Sequence, residues 1–179
     1  MNIGEMAALQ IDRPAPVESE SSEEPSSLHR VLVPLDGSSL AEAILPSVSR
    51  IARPLDLEII LLRVVPALPP RVIEGGRPIV IDNTERLRVE AQDYLRHVAS
   101  GLLTSGLRVS TDVRVGDAPA EIVAAAREGQ ADLIAMATHG RGVLGQLLFG
   151  SVAEAVLHRA DVPVFLLRVT ESARAKKAA

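Results

Sequence analysis

Apolar residues in this chain come in short solid runs, and between the runs they recur at the spacing of a helix. The first run, His29-Arg30-Val31-Leu32-Val33-Pro34-Leu35, ends in the turn cluster Asp36-Gly37-Ser38-Ser39. So short an apolar run predicts a buried strand. The cluster predicts a helix start, with Ser39 and Glu42 spaced as a capping box. Leu40, Ala43, Ile44, Val48 and Ile51 share one helical face, and this helix is expected to stop before Pro54. Leu57 to Val65 predicts a second strand, apolar apart from Glu58 and Arg63. Pro66, Pro69, Pro70, Gly75, Gly76 and Pro78 then mark a long mobile loop.

The alternation continues in the second half. Asp82-Asn83-Thr84-Glu85 is spaced as another capping box, opening a helix through about Leu103 that Gly106 closes. Leu107 to Val115 predicts a third strand of alternating polarity. Gly116-Asp117-Ala118-Pro119 starts a helix that ends near Gly129, and Ala131 to Ala137 predicts a fourth strand. A glycine-rich stretch precedes a helix from Ser151 to about Arg159, and Val162 to Leu167 predicts a fifth strand. Strands that are apolar on both faces and alternate with helices imply an α/β fold. The expectation is a single doubly wound, open, five-stranded parallel sheet with helices on both faces. Ligands in such sheets sit outside the carboxyl ends of the strands, where the strand order reverses. The two most unusual loops, Asp36-Gly37-Ser38 and Thr138 to Gly150, follow strands one and four.

Composition narrows the chemistry. The 179 residues suit one α/β domain with tails. Residues 1–27 form a Ser/Glu/Pro-rich arm too polar to offset its ordering entropy, the domain is expected over 28–169, and 170–179 reads as a disordered tail. Cysteine is absent, which excludes disulfides, thiolate metal sites and cysteine nucleophiles. A formal charge of −4 gives no basic footprint for nucleic acid, and one Tyr and two Phe make no base-stacking platform. No apolar run reaches the ~20 residues that a membrane span needs. Met1-Asn2-Ile3-Gly4-Glu5 lacks a basic n-region, so no secretory leader is expected and the expected location is the cytoplasm. Lys176 and Lys177 are the chain's only lysines, and no Walker-type G-x-x-x-x-G-K-S/T loop occurs. Any phosphate must therefore be held by backbone N–H groups, hydroxyls or arginine.

The segment Met136 to Glu154 offers such a cradle. Gly140 and Gly142 let the backbone turn sharply and approach a ligand, and Gly150-Ser151 begins a helix whose free N–H groups favour an anion. Ser151 and Glu154 also have the spacing of a capping box, which needs no ligand. Spacing alone leaves both readings open. Asp36 is placed either as a turn residue or as a ligand contact. His139 and Arg141 stand beside the cradle, either as solvated loop residues or as contacts, Arg141 as a bidentate phosphate donor. His29, His97 and His158 fall singly on different elements, so no metal site is expected. No nucleophile elbow and no spaced carboxylate pair appears, so no catalytic residue is assigned. An adenylate-forming or pyrophosphatase enzyme would want S-G-G-x-D-S after the first strand, which Asp36-Gly37-Ser38-Ser39 does not supply.

These residues resemble the universal stress protein family, whose nucleotide signature is G-x-x-G, nine residues, then G-S/T. Gly140 matches the second glycine, Arg141 to Phe149 are the nine, and Gly150-Ser151 close the pattern. Val31 to Ser38 and Ala160-Asp161-Val162-Pro163-Val164 match as well, so the likeness covers about residues 28–169. Ala137 stands where the first signature glycine would be. The resemblance implies a Rossmann-like, adenine nucleotide alpha hydrolase-like fold that binds ATP or a related adenine nucleotide, alone or with Mg²⁺. It implies that Asp36 holds the ribose hydroxyls or the adenine edge, and that Pro34, Val64 and Met136 border the adenine. Gly140, Gly150, Ser151 and Val152 would meet the phosphates through backbone N–H groups. It further implies a homodimer paired through the last strand, Val164 to Leu167, and a regulatory role with at most slow ATP hydrolysis. The family's other branch lacks the glycine signature, and Ala137 is a step toward it. The alternative is thus a non-nucleotide interaction module, docking partners through the 66–81 loop or the acidic arm.

Overall fold

The computed structural model describes residues 28–67, 83–139 and 150–169. The expected arm, the tail, most of the proline-rich loop and the segment Gly140 to Phe149 lie outside the described residues. The elements are β1 (Arg30–Pro34), α1 (Ser39–Glu42), α2 (Leu45–Leu55), β2 (Glu58–Val65), α3 (Thr84–Thr104), β3 (Arg108–Val115), α4 (Ala118–Glu128), β4 (Leu133–His139), α5 (Ser151–Arg159) and β5 (Val164–Val169). The strands form a five-stranded, wholly parallel sheet in the order β3-β2-β1-β4-β5.

The order follows from handedness. Right-handed crossovers from β1 to β2 to β3 carry α2 and α3 onto one face. The path then reverses across β1 to β4 and β5, which carries α4 and α5 onto the other face. Successive residues of the inner strands feed the two cores alternately. Val31, Val33, Ile59 and Leu61 pack with Ile44, Val48, Leu95 and Ala99 on the first face. Leu32, Leu62, Ile134 and Met136 pack with Ile122, Ala126, Ala153 and Val156 on the second. Burial on both sides is why these strands read as solid apolar runs.

Several local expectations need correcting. Pro46 enters near the start of α2, and its ring cannot follow the turn before it, so the single helix expected after β1 is broken between Glu42 and Leu45. Pro54 does not stop α2, which runs through Leu55 and closes on Asp56 in the left-handed region (φ 49°). The cap of α1 is Ser38 rather than Ser39, with its Oγ accepting from the Ala41 amide at 3.1 Å. Asn83 precedes α3 with no side-chain cap bond, and Asp82 of the expected box lies outside the described residues. β4 extends two residues further than expected, to His139, and β5 runs from Val164 to Val169.

The reversal between β1 and β4 leaves a gap. The two strands pair only at Val31–Leu133 and Leu32–Ile134 and then part. The Leu35 amide donates to the Leu62 carbonyl at 2.8 Å, so by alternation the amide of residue 34 would face β4. Pro34 has none, and the ladder toward β4 lacks its next donor. At the other end Asp132 ties the strands together. Its Oδ2 accepts from the backbone amides of His29 at 2.7 Å and Arg30 at 2.9 Å, while its own amide donates to the Arg30 carbonyl at 2.9 Å. Among the described residues no helix is long and apolar enough to cross a membrane.

Burial works to raise the Asp132 pKa, but the two amides and the nearby positive charge of Arg30 outweigh it and hold it below its ordinary value. Asp132→Ala is expected to cost about 1 kcal/mol of stability at neutral pH, the low end for a charged acceptor because the site is partly solvated. A group with a depressed folded pKa contributes fully above the usual carboxylate range and loses its contribution as pH falls through the folded value. Urea melts of both proteins should therefore converge in acid, and a gap independent of pH would refute the ionic latch.

Candidate functional site

The parting of β1 from β4 opens a cleft of about 300 Å³ at the carboxyl end of the sheet, on the face covered by α4 and α5. Pro34 and Asp36 reach it from the end of β1, Val64 from β2, Met136 and Ala137 from β4, and Gly150, Ser151 and Val152 from the start of α5. Residues far apart in sequence are thus brought to one concavity by the topology. His139 ends β4 one residue beyond Thr138, which lines the cleft. Gly140 and Arg141 lie outside the described residues.

Two walls are polar. Asp36 Oδ1 accepts from the Ser38 amide at 2.9 Å, which closes the turn between β1 and α1. Partial burial opposes ionisation of this carboxyl. The hydrogen bonds from Ser38 and the charge of Arg63 prevail, and its pKa lies below the ordinary value. Asp36 is therefore an anion at neutral pH and can only accept hydrogen bonds.

The opposite wall is the N-terminus of α5. Gly150 is its cap: its carbonyl accepts from the Glu154 amide at 3.0 Å, and its backbone stands at φ 82°, ψ 143°. That region is open to glycine and nearly closed to other residues. Among the described residues a Cβ at Gly150 would meet nothing within 4 Å, so it is the backbone conformation that requires the glycine. The expected box of Ser151 with Glu154 does not form, because Gly150 takes the cap position and Ser151 is already helical. No side chain among the described residues caps α5. The helix start, with its first amides and positive dipole end, lines the cleft through Gly150, Ser151 and Val152.

The floor is apolar. Pro34, Val64 and Met136 are joined by Leu40, Leu62 and Ile122, which the sequence reading did not single out. Their signal was only a place on a core-facing pattern. Ala137 has no left-handed backbone and packs its methyl into the first core cluster, whereas Met136 packs into the second. The methyl group at the first signature position therefore strains no backbone and is turned toward the core on the other face. Thr138 is the buried polar residue of the described core, at 3% exposure, and it too borders the cleft. Among the described residues no cluster of His, Asp or Glu is placed to hold a metal ion.

Comparison with known proteins agrees with this fold. The model of the universal stress protein family matches residues 27–168. Universal stress protein MJ0531 of Methanocaldococcus jannaschii is 31% identical over 141 residues, covering 78% of this chain and 81% of that protein. The solved structure of protein MJ0577 from the same organism superposes with a TM-score of 0.67 at 28% identity, covering 80% of this chain and 98% of the other. An Archaeoglobus fulgidus universal stress protein solved in complex with dAMP has a TM-score of 0.56 at 24% identity, covering 78% and 98%. With two thirds of the chain and more matched in sequence and in backbone, the protein belongs to the universal stress protein family.

Proposed function

We propose that this chain binds an adenine nucleotide, ATP foremost, in the cleft between β1, β4 and α5, and that it acts as a homodimeric regulatory protein of the cytoplasm with at most slow ATP hydrolysis. One observation carries the reading: the cleft has an acceptor-only carboxylate on one wall and, on the other, a helix N-terminus that no side chain among the described residues caps. This polarity fits a molecule with hydroxyl donors at one end and negative charge at the other. Asp36 would accept from the ribose hydroxyls or the adenine edge, and its charge repels phosphate. The apolar surfaces of Pro34, Val64 and Met136 suit the faces of the base. The amides of Gly150, Ser151 and Val152 would meet the phosphates, as a helix start does without a lysine. Gly140, Arg141 and His139 join the site on the strength of the sequence signature. The dAMP held by the Archaeoglobus fulgidus relative supports a ligand of this class. The unit responsible is residues 28–169, with 1–27 and 170–179 as appendages.

The dimer rests on β5. It is an edge strand, hydrogen-bonded to β4 on one side, and Val164 to Leu167 stay only half-buried. An apolar edge of this kind invites a second copy of itself.

Calorimetry with MgATP up to millimolar concentration should give saturable heat. Gly150→Val should weaken binding at least about tenfold while costing about 1–3 kcal/mol of stability through backbone strain. Ser151→Ala, which removes only a hydroxyl, should have the smaller effect. Mass spectrometry of the denatured purified protein should reveal adenine nucleotide. Absence of heat, with the Gly150 variant indistinguishable from the parent, would leave the interaction-module reading in its place.

The Pro163 carbonyl points to β4, where it accepts from the Ile134 amide at 3.0 Å, so by alternation the amide of Leu166 points outward. Leu166→Pro should therefore spare the β4–β5 ladder and convert a dimer into a monomer in light scattering. A variant that stays dimeric would place the interface elsewhere.

A further inference from the structure

Behind the turn that carries Asp36, on the opposite face of the sheet, lies a second hollow of about 240 Å³ lined by Gly37, Arg63, Glu90 and Tyr94. Arg63 stands between Leu62 and Val64, which both face the nucleotide cleft, so its side chain leaves by the other face. Its Nη1 donates to the Leu35 carbonyl at 3.4 Å. Gly37 has φ 82°, and a Cβ there would come within 3.1 Å of the same nitrogen, so the guanidinium lies directly against the turn. The group is held from behind by the Tyr94 ring, whose centroid is 5.7 Å from Cζ. Tyr94 is fixed in turn, its hydroxyl donating to Glu42 Oε1 of α1 at 3.0 Å. No ion pair engages Arg63 among the described residues, and Asp36 is the carboxylate whose ionisation its charge supports.

We propose that Arg63 is a positioning residue for nucleotide recognition: braced on Tyr94, it holds the Leu35–Gly37 turn from the back of the sheet and so fixes the Asp36 carboxylate at the nucleoside end of the cleft. This rests on the adenine-nucleotide reading given above. A guanidinium suits the task, because one nitrogen bonds the turn while the cation stays over the ring. Gly37 belongs to the device, since any side chain there would push the cation away. Among the described residues no contact joins Arg63 to the phosphate end on α5.

That separation supplies the test. Calorimetric titrations with ATP and with inorganic tripolyphosphate, which lacks the nucleoside, are run on the parent protein, Arg63→Met, Arg63→Lys, Asp36→Ala and the double variant Arg63→Met/Asp36→Ala. Arg63→Met should weaken ATP about tenfold and leave tripolyphosphate within about twofold, and it should add little once Asp36 is gone. Arg63→Lys should recover about half of the loss on a logarithmic scale, having the charge without the fork. If the Met variant fails to fold, the Lys variant decides: ATP about threefold weaker with tripolyphosphate unchanged supports the role. Unaltered ATP affinity, equal loss for both ligands, or a full effect in the Asp36→Ala background would overturn it. A parent protein that binds neither ligand would instead overturn the nucleotide reading, and this role with it.

Discussion

The site depends on a missing hydrogen bond. β1 and β4 are paired for two residues and latched at their amino ends by Asp132, and then the ladder stops where Pro34 has no amide to offer. Elsewhere in the sheet the strands stay together, β2 and β3 over eight residue pairs. The opening is therefore local, at the point where the chain reverses direction across β1. Helices on both faces hold the rest of the sheet closed, so the opening does not propagate into the core.

The chemistry at the opening is divided by its walls. Burial would favour a neutral Asp36, but the Ser38 bonds and the Arg63 charge keep it ionised, which commits that wall to hydrogen-bond donors. Among the described residues the α5 wall offers backbone donors and no cationic side chain, and Gly150 at the cap position supplies a carbonyl but no side-chain acceptor. In a chain whose only lysines are Lys176 and Lys177, the donors that the described cleft presents on this side are peptide groups. The division also assigns separate supports: the carboxylate wall is backed by β2 and α3, the amide wall by the packing of Ala153 and Val156 into the second core cluster.

Much of the fold was legible because the inner strands are buried on both faces, which leaves solid apolar runs that no surface element imitates. Helix caps were less legible. Adjacent serines at 38 and 39 made either a plausible cap, and only the turn closed by Asp36 selects the first. The end of β4 was read short because Thr138 and His139 are polar, although threonine sits well in strands and here lies buried. Of the glycines that mark the signature, Gly150 lines the cleft with a positive φ, whereas Gly140 lies outside the described residues. Arg63 left no such mark. Its partners are a carbonyl 28 residues away, a glycine and a ring on α3, and nothing in a linear pattern joins them.

Because the gap between β1 and β4 is set by proline's covalent ring, neither acid nor salt can zip it shut. What solution conditions can change are the charges on the rim, Asp36 among them. A proton or a counter-ion can thus alter the charge at the mouth, but it cannot restore a donor that the backbone never carried.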